Sequence, residues 1–262
     1  MDFTVLTLFP DMIRMNMSTS IMGRALEKGT IGLNVIDIRD FSCNKHNRVD
    51  DYPYGGGAGM VMEAGPVYKA CLAARNLHPE MKSRLIYLTP IGKTFDQDIA
   101  KELSTEEHLI FLCGHYEGID ERVLKDQVDD YISLGDFILT GGELAALTVM
   151  DSTARLIPGV LNNDESTGEE SFENGLLEYP QYTRPEVFLD IKVPEVLLSG
   201  HHENIEKWRF AQSLIRTYLY RPDMFERYEL KKEEKKALSK LLKTALLNDE
   251  EKKLLMKIME IR

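Results

Sequence analysis

The chain of 262 residues has few cysteines and no long apolar segment. Its three cysteines, Cys43, Cys71 and Cys113, are odd in number and widely scattered, so neither a disulfide framework nor a zinc site is expected. No apolar run approaches the length of a membrane span, and the first residues lack the basic leader and apolar stretch of a signal peptide. These absences predict a protein of the reducing cytoplasm that has no membrane partner.

The chain also lacks an excess of positive charge, since its formal net charge is -11. This balance argues against a nucleic acid as partner, because phosphate binding is largely electrostatic. Net charge is a global sum, however, and the field at the contact face decides binding. Two stretches are locally basic, namely residues 45–48 and the segment that carries Lys207, Arg209, Arg216 and Arg221. Charge alone therefore does not decide the partner.

The first half of the chain alternates short apolar runs with helical patterns. Strands are predicted at 3–9, 33–38, 85–88, 109–113 and 130–133, and helices at 11–28, 66–77, 95–104, 119–127 and 142–155. Residues 39–62 form a long glycine-rich loop. This alternation predicts an α/β fold with a mostly parallel sheet that is covered by helices on both faces.

The alternation stops after Pro158. Residues 161–174 are polar and acidic without apolar periodicity, whereas residues 203–221, 232–246 and 249–260 have helical patterns. We therefore predict an α/β domain over 1–160, a flexible linker over 161–175 and a small, mostly α-helical domain over 176–262.

Three predicted strands end in loops that carry glycine, at residues 89–92, 114–118 and 133–143. In open parallel sheets, ligands bind outside the carboxyl ends of the strands, and glycines let the backbone approach a ligand closely. Any one loop is more simply interpreted as a tight turn between a strand and a helix. Three such loops on one sheet edge favour a ligand site.

Common nucleotide and metal motifs do not fit. Gly92-Lys93-Thr94 resembles the end of a P-loop, but Tyr87 stands where the first glycine belongs. The glycine-rich residues 55–59 lack dinucleotide spacing and follow no strand directly. His201-His202-Glu203 could suggest a metal, yet no matching ligands lie nearby in sequence. A role at a helix N-terminus or in RNA contact is expected for these histidines instead.

Seven segments carry a family resemblance: PYGGGAGMVM (53–62), IYLTPIGK (86–93), LCGHYEGIDERV (112–123), SLGDFILTGGELAA (133–146), ARLIPGV (154–160), YTRPEV (182–187) and SGHHENIEKWR (199–209). In order and spacing, the chain resembles the bacterial-type tRNA (guanine-N1)-methyltransferases of the SPOUT class along essentially its whole length. The resemblance implies an enzyme that transfers a methyl group from S-adenosylmethionine to guanine N1 at tRNA position 37, beside the anticodon. It also implies a deep trefoil knot around residues 88–142, magnesium dependence and a homodimer whose active sites are shared between subunits.

The resemblance also implies the site residues. The cofactor is expected to lie against Tyr87, Leu88, Thr89, Pro90, Gly114, Tyr116, Glu117, Ser133, Leu134, Gly135, Leu139, Thr140, Gly141 and Gly142. A side chain at Gly141 is therefore expected to occupy the ligand's space. Arg155 matches the family's catalytic arginine, and Glu117 is the expected magnesium ligand. Contacts to tRNA are expected from Asp120, His201, Lys207, Arg209 and Arg216.

Two positions depart from the family pattern. Glu170, before Ser171-Phe172, occupies the position of the catalytic aspartate that acts as general base, and Asp164, Glu165 and Glu169 are rivals. The added methylene puts the rate in doubt, since a misplacement of about 1 Å can lower it roughly a hundredfold. His115 stands where the family commonly has arginine, which implies a weaker electrostatic attraction at this position at neutral pH.

Two other functions compete with this one. The first is a diverged tRNA- or cofactor-binding SPOUT protein with weak or no methylation activity. The second is a SPOUT enzyme that acts on ribose hydroxyls. Arg155, Glu117 and the glycine loops favour the guanine-N1 enzyme over the first alternative. The GGGAGM and GHHENIEKWR segments disfavour the second.

Overall fold

The computed structural model describes residues 1–161 and 170–261, and the chain divides into two compact units, Met1–Asp164 and Glu165–Arg262. Most of the expected linker, including Asp164, Glu165 and Glu169, lies outside the described residues. Within the described part of the chain, no helix is both long and apolar enough to cross a membrane.

The first unit is built on a parallel sheet. Its strands are β1 (Asp2–Thr7), β2 (Gly32–Asp37), β3 (Asp50–Asp51), β4 (Val61–Met62), β5 (Ser83–Thr94), β6 (His108–Leu112) and β7 (Asp130–Ser133). Five of them pair in the order β2-β1-β6-β5-β7, and each of these pairs is parallel, whereas β3 and β4 form a separate antiparallel ribbon. The predicted α/β fold with a mostly parallel sheet is confirmed. Strand order alone does not test the knot, which stays a prediction.

Helices cover both faces of this sheet. They are α1 (Pro10–Met17), α2 (Ser20–Glu27), α3 (Ala64–Arg75), α4 (Gln97–Leu103), α5 (Glu121–Gln127) and α6 (Glu143–Ala154), with a 3-10 turn at Ile38–Phe41. Alternate strand residues enter opposite cores, so that Phe3 packs with α1, α2, α4 and α6, whereas Leu6 packs with α3 and α5. β6 is buried at every residue, because neither of its faces meets water.

Three details of the sequence prediction were wrong. The helix expected at 11–28 is two helices, because the Ser18 and Thr19 hydroxyls bond the carbonyls of Met15 and Asn16 and compete with the helical pattern. The strand expected to end at residue 88 continues to residue 94, with a register shift at 89–92. The expected loop 39–62 contains the 3-10 turn and the β3–β4 ribbon.

The second unit is mostly helical. It comprises a hairpin of β8 (Val187–Phe188) and β9 (Ile191–Lys192), followed by α7 (Glu195–Leu198), α8 (His202–Tyr220), α9 (Pro222–Arg227), α10 (Lys232–Leu241) and α11 (Asp249–Ile261). Its own core surrounds Trp208, which is 1 % exposed. The hairpin, α7 and α9 were not predicted from the sequence, and α10 ends five residues earlier than expected.

Candidate active site

A cavity of about 300 Å³ opens at the carboxyl ends of β5, β6 and β7. Every residue predicted to contact the cofactor lines it: Tyr87, Leu88, Thr89, Pro90, Gly114, Tyr116, Glu117, Ser133, Leu134, Gly135, Leu139, Thr140, Gly141 and Gly142. The volume lies at the lower end of the range for small-molecule sites, roughly 300–1,000 Å³. The three glycine loops therefore form one site for a small ligand.

Other lining residues were not predicted, among them Ile132, Phe137, Ile138 and Ala145. Phe137 and Ile138 are 54 % and 82 % exposed, although both are large and apolar. Two adjacent apolar residues between Asp136 and the glycines of the third loop were the sequence signal that could have identified them.

The glycines of the cavity are required by close contacts between loops. The Gly142 amide donates to the Gly114 carbonyl at 3.1 Å. A Cβ on Gly142 would lie 2.7 Å from Cys113 Cα, and one on Gly141 would lie 2.6 Å from the Glu143 carboxylate oxygen Oε2 and would also collide with His115. A side chain at Gly141 would therefore meet protein, whereas the motif interpretation assigned that space to the ligand.

The loop of residues 114–118 is a tight turn held by the glycine-rich segment. The Gly118 amide bonds the His115 carbonyl at 3.1 Å, and Tyr116 and Gly118 have positive φ angles of 58° and 121°. The Glu117 amide donates to the Met60 carbonyl at 3.0 Å, and the Met62 amide donates to the Gly118 carbonyl at 2.9 Å. Residues 60–62 thus hold the cavity loop in place, with Tyr116 and Glu117 exposed.

A buried polar cluster lies behind the second and third loops. The Thr7 hydroxyl donates to Glu143 Oε1 at 2.5 Å, and His115 Nε2 lies 2.9 and 2.8 Å from the two Glu143 oxygens. The His115 ring also packs on Phe9, with 5.0 Å between centroids. His115, the departure from arginine, is therefore paired with a carboxylate that is 3 % exposed.

The ionisable groups around the cavity divide into neutral and charged ones. Burial raises the pKa of Tyr87, and burial together with the negative charge of Glu143 raises the pKa of the Cys113 thiol, so both stay protonated. Hydrogen bonds from Arg122 lower the pKa of Asp120, which caps α5. A carboxylate held in this way is a poor proton acceptor, so Asp120 is a weak candidate for the general base.

The two predicted catalytic residues lie in different units. Arg155 caps the C-terminus of α6 in the first unit. Glu170 belongs to the second unit, where it lines a cavity of about 530 Å³ together with Tyr179, Arg209 and Glu234. The Arg209 guanidinium lies 4.6 Å from the centroid of the Tyr179 ring. The face of the aromatic ring attracts the guanidinium, so this contact holds Arg209 against Tyr179.

The predicted tRNA contacts of the second unit lie on or next to α8. His201 is its N-cap, and Lys207 pairs with Glu203 at 2.5 Å. At about 100° per residue, Arg209 and Arg216 share one side of the helix and Lys207 lies on the opposite side. Arg216 Nε is buried and has no hydrogen-bond partner among the described residues. The described residues also contain no cluster of three His, Cys, Asp or Glu side chains that could hold a metal, so His201-His202-Glu203 does not form one.

Comparison with known proteins gives consistent matches. Residues 1–227 match the family model described as tRNA (Guanine-1)-methyltransferase TrmD. The tRNA (guanine-N(1)-)-methyltransferase of Lachnoclostridium phytofermentans is 56 % identical over 266 residues, which cover 92 % of this chain and 97 % of that protein. The protein of the same name from Lachnospira eligens is 58 % identical over 228 residues, which cover 87 % of this chain and 96 % of that protein. The protein of the same name from Clostridium botulinum strain Kyoto is 57 % identical over 238 residues, which cover 91 % of this chain and 97 % of that protein.

Proposed function

Because the chain belongs to the tRNA (guanine-1)-methyltransferase family, we propose that it transfers the methyl group of S-adenosylmethionine to N1 of the guanine at tRNA position 37. The observation that carries this proposal is the cavity of about 300 Å³, which gathers all the residues expected to hold the cofactor. The backbone groups of three close-packed loops supply the donors and acceptors that recognise an adenine edge and a ribose.

The chemistry requires a base and a stabilising cation. Guanine N1 carries a proton at neutral pH, so its lone pair is not free to attack a sulfonium methyl group. When bound, S-adenosylmethionine supplies that electrophilic methyl group. Glu170 would accept the N1 proton while N1 bonds the methyl carbon and the carbon–sulfur bond breaks, which releases neutral S-adenosylhomocysteine. Arg155 would donate hydrogen bonds to O6, where negative charge develops. Glu170 is only partly buried, which supports its access to a substrate.

Magnesium fits this site only in part. Glu117 is exposed and supplies one carboxylate oxygen ligand at the cavity. Magnesium is usually held by one or two carboxylates together with oxygens of the substrate and water. Glu117 and the bound nucleotide would hold the ion together, and its charge would add to the stabilisation of O6.

We also propose that the two parts of the chain bind different substrates and that the protein forms a homodimer. Residues 1–160 would bind the cofactor, and residues 176–262, with the arginines of α8, would bind tRNA in the cytoplasm. A homodimer with shared active sites is supported by the exposed apolar residues Phe137 and Ile138 of the cavity and by Leu144 of α6, which is 48 % exposed. Large exposed apolar groups in one region are typical of a surface that a partner covers.

Single-turnover methylation of a tRNA transcript with guanine at position 37 tests the proposal, with a transcript that carries adenine there as control. Glu170→Gln should lower the chemical rate by roughly 10²–10⁴ at saturating cofactor and tRNA. Glu170→Asp should stay active, because it keeps the carboxylate. Cofactor affinity should be unchanged in both variants.

Glu169→Gln is the matched control, since it removes the neighbouring carboxylate. A normal rate in Glu170→Gln together with a dead Glu169→Gln would move the base by one residue. Normal rates in both variants would assign the base elsewhere. A wild-type protein that binds S-adenosylmethionine but methylates neither transcript would be a diverged binding protein.

A further inference from the structure

The carboxylate of Glu143 is buried although it belongs to the first turn of α6. A buried charge is unfavourable unless hydrogen bonds replace its water. The Phe9 amide donates to the Thr7 hydroxyl at 2.8 Å, which leaves the hydroxyl proton to bond Glu143 Oε1. His115 Nε2 lies within 2.9 Å of both carboxylate oxygens, so it acts as a donor. Glu143 is thus an acceptor in every one of these contacts.

The three side chains come from three separate elements. Thr7 ends β1, His115 lies in the loop after β6 and Glu143 follows the glycines of the third loop. His115 and Gly141 line the cavity, whereas Thr7 and Glu143 do not. The two buried groups can therefore influence a ligand only through the loops that they hold.

We infer that Thr7, Glu143 and His115 form a positioning network that fixes the spacing of the second and third cavity loops before the cofactor binds. The inference rests on the proposed function. Glu143 is its central positioning residue, because it contacts both other members and leaves no room for a side chain at Gly141. Loops held in this way lose little freedom on binding, which raises the affinity for the ligand.

Calorimetric titration with S-adenosylhomocysteine tests the network in the full-length protein. Glu143→Gln and His115→Leu should each bind this probe roughly 10- to 100-fold more weakly, as expected for the loss of a hydrogen bond to a buried charge. His115→Arg should recover much of the loss seen in His115→Leu, because a guanidinium can donate to both Glu143 oxygens. KM for S-adenosylmethionine should rise by a larger factor than kcat falls.

A double variant and a matched control separate positioning from general packing. In Glu143→Gln/His115→Leu the loss should be close to that of one single variant, because both substitutions break the same network. Thr7→Val should weaken binding, whereas Thr148→Val should not. Thr148 bonds the Leu144 carbonyl at 2.9 Å on the exposed side of the same helix, away from the network.

The outcomes decide between the two proposals. Wild-type affinity in Glu143→Gln and His115→Leu, or fully additive losses in the double variant, would overturn the network. If Glu143→Gln does not fold, the affinities of His115→Leu and Thr7→Val for S-adenosylhomocysteine decide instead. Wild-type affinity in both variants would then overturn the network. Failure of the wild-type protein to bind S-adenosylhomocysteine would refute the proposed function itself.

Discussion

Substituting alanine for Gly142 should push apart the two loops at the base of the cavity. The new Cβ would lie 2.7 Å from Cys113 Cα and 3.1 Å from the Gly114 amide nitrogen. Carbon atoms in contact prefer about 3.5–4.0 Å, so the loops must separate by about 1 Å. A third close contact is with Cys113 Cβ at 3.1 Å, and none of the three atoms belongs to the far end of a flexible side chain that could yield.

The magnitude follows from two terms. Overpacking of this kind destabilises by about 1–3 kcal/mol. The separation also weakens the 3.1 Å bond between the Gly142 amide and the Gly114 carbonyl, a bond whose net contribution is about 1 kcal/mol. We therefore expect the free energy of unfolding to fall by about 2–4 kcal/mol. Because Gly114 and Gly142 both line the cavity, separating their loops should also weaken cofactor binding.

Urea unfolding followed by circular dichroism measures the change in the free energy of unfolding. Calorimetric titration with S-adenosylhomocysteine measures the change in affinity at the cavity. Gly65→Ala is the matched control, because a Cβ there meets no atom within 4 Å and Gly65 lies in α3. Gly65→Ala should leave the free energy of unfolding unchanged or raise it by up to about 1 kcal/mol. Unaltered stability and affinity in Gly142→Ala would refute the packing argument. Equal destabilisation by both substitutions would show a general intolerance of alanine.

Two further predictions concern thiols and charges. Ellman's reagent should modify one thiol rapidly in the folded chain, that of exposed Cys43, because the other two are buried and their pKa values are raised, that of Cys71 to about 12. Cys43→Ser should abolish the fast phase, and a second fast thiol would contradict the buried positions. Reversing the charge of Lys207, Arg209 or Arg216 should weaken tRNA binding and reduce the salt slope by about one each. Unchanged affinity and salt slope in these variants would show that the three side chains only form a solvated helix face.

The parallel sheet was predictable because its central strands β1 and β6 are short and buried on both faces. The run 109–113 corresponds to His108–Leu112, and 130–133 matches β7 at both ends. The β8–β9 hairpin was not predictable, since its turn is Leu189-Asp190. Both residues have positive φ angles, 49° and 60°, a conformation in which glycine, asparagine and aspartate predominate. Asp190 fits this pattern, but Leu189 does not, so the pair does not indicate such a turn.

The gathering of the cofactor loops was also predictable, because parallel strands end at a common edge. The network behind them was not. Thr7 and Glu143 are 136 residues apart, and neither lies in a local pattern that indicates contact with the other. The space beside Gly141 was assigned to the ligand for the same reason, since only the fold brings His115 and Glu143 there.

The single tryptophan, Trp208, lies in the core of the second unit. Its fluorescence therefore reports on that unit alone, whereas peptide absorption reports on both. Tyr182 lies 6.3 Å from its ring, and Arg209 is its neighbour on α8. The emission of Trp208 can thus follow unfolding of the helical unit without any added label.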